Sequence, residues 1–212
     1  MLEKKVIEFV CTANHGRSPV AELVALQYLR DLGADNEYTA ASSGNAVDAI
    51  RTGDVPLSIK LDIIYGALGR EDVCTQLGFK PKEVEKAITD GDKTAIGDYF
   101  KQAQKFFWQE EHDHRAEAVE YFGLPGKLKE HSDQTIALPD RVAIYGMTES
   151  NKNGIVKIYE PSEFNPLIDV LKKEGVPDAF MKGKDVYLKA VEAIMDAVPN
   201  RIDESIEMYK HS

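Results

Sequence analysis

The run Cys11-Thr12-Ala13-Asn14-His15-Gly16-Arg17-Ser18 sets a thiol and a guanidinium five intervening residues apart, followed at once by a hydroxyl and by Pro19. Each part has a chemical use. In a tight loop that feeds a helix, the backbone N–H groups have no intrahelical partners, and the helix dipole adds positive potential, so a tetrahedral oxyanion fits there. The same field favours thiolate over thiol, which makes Cys11 a candidate nucleophile. The planar fork of Arg17 matches two oxygens of a phosphoryl group, where lysine would offer a point charge. Asn14 and Gly16 are residue types that accept the strained backbone such a loop needs. Thr12, Ala13 and His15 complete the anion cradle, and Ser18 either caps the helix or donates to the sulfur. Taken alone, a Cys-x5-Arg spacing also describes a buried strand-end cysteine and a surface arginine. The flanking elements decide between the two readings.

Lys5 to Val10 is rich in β-branched and aromatic residues and reads as a strand that ends at the loop. From Ser18 the period changes. Pro19 suits the first helical position, Glu22 the first turn, and Val20, Leu23, Val24, Leu26 and Tyr28 recur at helical spacing until Gly33. Glu37 to Ala41, closed by Ser42-Ser43-Gly44, is a second strand. A β-α-β unit of this kind makes the two strands parallel neighbours and the fold class α/β. Residues 46 to 115 break the alternation with helical patterns at Leu57 to Leu68, Asp72 to Leu77, Glu83 to Ile88 and Thr94 to Trp108, as expected of a helical insertion. Strands are expected again at Val142 to Tyr145 and Ile155 to Tyr159, with a turn at Thr148 to Asn151 between them. Helices are expected at Asp185 to Ala197 and Ile202 to Lys210. The whole, residues 1–212, reads as one domain bearing the insertion.

A net charge of −10 disfavours nucleic acid, whose binding draws on clustered Lys and Arg. The apolar runs are too short to cross a bilayer. Two cysteines, Cys11 and Cys74, point to reduced thiols rather than a disulfide framework, and the N-terminus lacks the pattern of a signal peptide. A cytoplasmic protein with no membrane partner is the expectation. His112 and His114, with Glu110 and Asp113, alternate along a helical stretch and so do not share a face, which argues against a metal site. Phe106-Phe107-Trp108 reads as core or a lid contact, and Cys74 as a small core residue.

The stretch from Val6 to Glu22, with Cys11 to Pro19 and Ala21-Glu22, resembles the low-molecular-weight protein tyrosine phosphatase family, whose relatives include thiol-dependent arsenate reductases. Ser42-Ser43-Gly44 is similar to the family's Ser-Ala-Gly, and Met147 to Lys152 to its Met-Thr-x-x-His-Lys segment. The resemblance covers about 1–50 and, more loosely, 115–200, leaving the insertion unmatched. It implies a three-layer α-β-α fold with a four-stranded parallel sheet, the phosphate loop after strand one, and Ser42 as loop support. Where some members carry a second cysteine before the arginine this chain has Gly16, so disulfide protection within the loop is not available. His15 stands where the family has an apolar or small hydroxyl residue.

Phosphoryl transfer to a thiolate needs an acid for the departing oxygen and later a base for water. Val176-Pro177-Asp178-Ala179-Phe180 resembles the family's acid loop, which implies Asp178 as the acid and Phe180 as an aromatic wall. Asp140 is the rival, although it precedes a strand and so falls at the edge away from the loop. The function implied is a phosphomonoester phosphatase with a phosphocysteine intermediate. A protein tyrosine phosphatase is the specific form, acting on a phosphorylated protein or a small phosphomonoester without a cofactor. The alternatives are an arsenate reductase, for which Cys74 is the other internal thiol, and a non-catalytic phosphoprotein- or anion-binding module.

Overall fold

Alternation along the first strand sets the layers. The computed structural model describes residues 4–210. In β1 (Lys5–Cys11), Ile7, Phe9 and Cys11 face one side and Glu8 and Val10 the other, as the two-residue strand period requires. The first set packs with Val20, Ala21, Val24 and Leu29 of α1 (Arg17–Asp31) and with Tyr187, Val191, Ile194 and Ile202 of α8 (Lys184–Lys210). On the opposite face Val10 meets Ile144, Ile155 and Tyr159, the last two from α7 (Glu149–Tyr159). With β2 (Tyr38–Gly44), β3 (Arg141–Gly146) and β4 (Leu167–Val170), the sheet is four-stranded, entirely parallel and ordered β2-β1-β3-β4. This is the three-layer α/β architecture that the sequence implies. No helix among the described residues is long and apolar enough to cross a membrane.

The chain divides into two units, one made of residues up to Val47 and from His112 onward, the other of Asp48–Glu111. The second holds α3 (Leu57–Leu68), α4 (Glu71–Leu77), α5 (Pro81–Thr89) and the start of α6 (Lys93–Tyr121), after the short α2 (Val47–Thr52). Its buried side chains include Ile64, Val73, Val84, Phe100 and Phe107, and Arg70 is shared between Asp72 and Glu110. Cys74 is buried and its Sγ donates to the Ala67 carbonyl at 3.3 Å.

Three expectations need correction. Ile155 to Tyr159 is not a strand but the last turns of α7, and the turn expected at Thr148 to Asn151 is the cap and first turn of that same helix. Ile155 and Tyr159 lie four apart and share the buried face, and Thr148 caps the helix by accepting from the Asn151 N–H. The fourth strand is instead Leu167–Val170, a stretch too short to give a clear alternating signal. The last two helices are one, α8, with Pro199 inside it. An interior proline costs about 3 kcal/mol, and here Ala197, Val198 and Ile202 continue the buried face through that point and offset it.

Candidate active site

Helix α1 begins at Arg17 with Gly16 at its N-cap, so Ser18 does not cap it, Pro19 is the third residue rather than the first, and Glu22 falls in the second turn. The Ser18 hydroxyl is buried against three acceptors: Cys11 Sγ at 3.0 Å, Asn14 Oδ1 at 3.0 Å and the Ser43 carbonyl at 3.2 Å. One proton serves one of them at a time. Asn14 has a φ of 50°, the left-handed conformation that asparagine tolerates, and its Nδ2 donates to the Ser42 carbonyl at 3.3 Å. Ser42 also donates through its hydroxyl to Glu22, and Lys129 sits 3.2 Å from the same Glu22 oxygen and 3.2 Å from the Ser42 carbonyl.

The loop carbonyls are held by groups from outside the loop. Cys11 O accepts from the Asn45 N–H, Thr12 O from the Ala46 N–H, Asn14 O from Ser132 Oγ at 3.1 Å, and His15 O from Arg115 Nη1 at 2.5 Å. Among the described residues, no backbone carbonyl accepts from the amides of Thr12, Ala13, Asn14 or Gly16. Close packing adds to the constraint. Gly44, paired with Cys11, leaves no room for a side chain, since a Cβ there would lie 2.6 Å from Asn14 N and 2.7 Å from Thr12 O.

Asp178 arrives at this loop from the segment between β4 and α8. Its Oδ1 lies 3.1 Å from Arg17 Nη2, and Arg17 Nη1 donates to the Val176 carbonyl at 3.2 Å. Arg17 is nearly buried while the Asp178 side chain is 56% exposed, so the carboxyl faces solvent and the guanidinium does not. Phe180 is half-buried two residues beyond. Asp140 is elsewhere. Its carbonyl accepts from the Val6 N–H at the far end of β1, and the five residue-to-residue steps from Val6 to Cys11 separate it from the thiol by about 16 Å at ~3.3 Å per step. Its carboxyl pairs with Arg141. The structure thus brings Cys11, Arg17, Ser18, Ser42 and Asp178 together and leaves Asp140 apart.

Sequence reading missed the polar groups that support the loop. Glu8 is 3% exposed and takes Ser43 Oγ at 2.5 Å and Arg141 Nε at 2.6 Å on its two oxygens. Ser43's single proton goes to Glu8, so Thr135, 2.7 Å from Ser43 Oγ, must be the donor in that contact. Burial works against the Arg141 cation, but Glu8 and Asp140 outweigh it and raise its pKa above the ordinary arginine value. One signal was available: a carboxylate inside the apolar run Val6-Ile7-Glu8-Phe9-Val10 of a central parallel strand demands a buried partner. Asn151 donates to Thr12 Oγ1 at 3.2 Å and accepts from Thr148 Oγ1 at 2.9 Å, which ties the start of α7 to the loop. Arg115 and Ser132 carried no local signal. Their partners lie 100 and 118 residues away.

No protein-family model matches the sequence, and no curated protein matches it. Solved structures do. A low molecular weight phosphotyrosine phosphatase from Vibrio cholerae is similar over 96% of this chain and 98% of its own, at 14% identity and a TM-score of 0.57. Wzb of Vibrio vulnificus in complex with benzylphosphonate is similar over 95% and 99%, at 14% identity and a TM-score of 0.56. The low molecular weight protein tyrosine phosphatase of T. tengcongensis is similar over 95% and 99%, at 16% identity and a TM-score of 0.55.

Proposed function

We propose that this chain, which has the fold of the low molecular weight protein tyrosine phosphatases, is a cysteine-dependent phosphomonoester phosphatase that works through a phosphocysteine intermediate. The observation that carries the reading is the contact between Arg17 and Asp178, which sets a solvent-facing carboxyl beside the cysteine loop from 161 residues further along the chain. The Cys11 thiolate attacks phosphorus. The S–P bond forms, the P–O bond breaks, and protonated Asp178 gives its proton to the departing oxygen. Water then attacks the phosphocysteine while the Asp178 carboxylate takes its proton, and the leaving sulfur is received by the Ser18 hydroxyl. Arg17 Nη2 is paired with Asp178 Oδ1 at 3.1 Å. A phosphoryl group that takes over this donor frees the carboxyl at the moment it is needed. Phe180, near Asp178, favours an aromatic leaving group, and the benzylphosphonate bound to Wzb has that character. Phosphotyrosine in a protein is the substrate this reading selects.

Arsenate reduction is less well supported, because it needs further thiols and the Cys74 thiol is buried and spent on the Ala67 carbonyl. A purely binding module has no use for Asp178 at Arg17. The test is hydrolysis of p-nitrophenyl phosphate and phosphotyrosine by the wild type and by Cys11→Ser, with mass spectrometry of the acid-quenched wild-type reaction. Turnover, a phosphorylated Cys11 peptide and a dead serine variant are expected. Substantial turnover by Cys11→Ser refutes the mechanism.

A further inference from the structure

The four outward anchors of the loop are unlike in kind. Two are backbone amides, one is a serine hydroxyl, and the fourth is the guanidinium of Arg115, 3% exposed, on the His15 carbonyl at 2.5 Å. In a trans peptide the C=O and N–H point in opposite directions, and the described residues contain no cis peptide. Holding the His15 oxygen from outside therefore turns the Gly16 N–H away from Arg115, at the residue that is the N-cap of α1. A cationic donor does more than a neutral one. It draws electron density toward the carbonyl and strengthens the opposite N–H as a donor, through the same polarisation that makes chained hydrogen bonds cooperative.

The position of Arg115 is itself fixed. It belongs to the last turns of α6, which dock through Ala118 in the core shared with α1 and α8 and through His114 beside the Tyr187 ring, while the Glu117–Lys184 ion pair on the same turns is exposed and adds little. We infer that Arg115 is a positioning residue of the anion cradle: a second guanidinium that acts on the bound oxyanion through the His15–Gly16 peptide, while Arg17 acts on it directly. The inference rests on the proposed anion-binding reading of the loop.

The experiment compares wild type, Arg115→Gln, Arg115→Lys and the control Glu117→Gln. The readouts are the Kd for inorganic phosphate, kcat and KM for p-nitrophenyl phosphate, the rate of Cys11 alkylation by iodoacetamide, and the melting temperature. Removing an oriented oxyanion donor outright costs about 10²–10³ in rate. Weakening one from behind should cost less, roughly tenfold to a hundredfold in kcat/KM, with a matching rise in the phosphate Kd for Arg115→Gln. Arg115→Lys, which still offers a cation to the carbonyl, should recover a large part of both, and Glu117→Gln should match wild type. A folded Arg115→Gln variant that binds phosphate within twofold of wild type overturns the inference. So does an Arg115→Lys variant as impaired as Arg115→Gln at an equal melting temperature, and this arm remains decisive if the glutamine variant fails to fold. Because phosphate binding needs no turnover, a wild type that binds phosphate but hydrolyses nothing refutes the catalytic reading and leaves this one standing.

Discussion

Replacing Ser18 with alanine removes the hydroxyl 3.0 Å from Cys11 Sγ and should divide the two chemical steps. In the first step the sulfur surrenders negative charge to phosphorus, so a donor at Sγ gains nothing as the transition state forms. In the second the charge returns, and the hydrogen bond strengthens as the S–P bond breaks. A hydrogen bond to a charged group contributes about 1.5–3 kcal/mol, which at ~1.4 kcal/mol per decade is a slowing of hydrolysis of about 10- to 150-fold. kcat should fall by that factor, while kcat/KM, which ends at phosphocysteine formation, should change far less. Stopped-flow with p-nitrophenyl phosphate should then show a burst approaching one nitrophenolate per enzyme, and the quenched variant should accumulate the phosphorylated peptide. The lost contact to buried Asn14 Oδ1 should appear separately in urea unfolding as about 1–3 kcal/mol. A parallel fall in kcat and kcat/KM with no burst, in a variant that remains folded, would refute the assignment of the hydroxyl to the leaving sulfur.

Asp178→Asn should lower kcat by about 10²–10⁴ for phosphates of basic alcohols or phenols and by less for nitrophenolate, which departs with little help; a flat dependence on leaving-group acidity would exclude it as the acid. Gly44→Ala must displace the loop, because its Cβ falls 2.6 Å from Asn14 N, so phosphate binding should be lost in a protein whose circular dichroism is retained. Glu8→Ala leaves Arg141 without its main partner beneath the sheet, and breaking such a buried pair should cost about 3–5 kcal/mol in urea unfolding, most of it restored in a variant that also replaces Arg141 with methionine.

What the sequence shows and what it hides divide along one physical line. The strand-loop-helix from Lys5 to Asp31 is legible because its signals are local: a β-branched run, strained loop residues and a change of period. The approach of Asp178 could be expected only through resemblance, since no spacing links positions 161 apart; the structure then places it against Arg17. The β4 strand is four residues long, and α7 reads as a strand because Ile155, Val156, Ile158 and Tyr159 are β-prone types, although Val156 is exposed and the burial follows a helical period. The supports of the loop, Arg115, Ser132 and Lys129, are polar residues of ordinary appearance whose role exists only in the folded chain.

That last arrangement bears on the life of the protein before it is complete. Cys11 leaves the ribosome before the groups that hold its loop, Arg115 lying 100 residues past His15 and Ser132 118 past Asn14, and Asp178 follows later still. Contacts of such long range form late, after the loop-closure entropy between them has been met. Until then the loop around Cys11 lacks the outside donors that hold the His15 and Asn14 carbonyls. The complete loop exists only once these contacts have formed, and recovery of the proposed phosphatase activity during refolding should lag behind the recovery of helical signal.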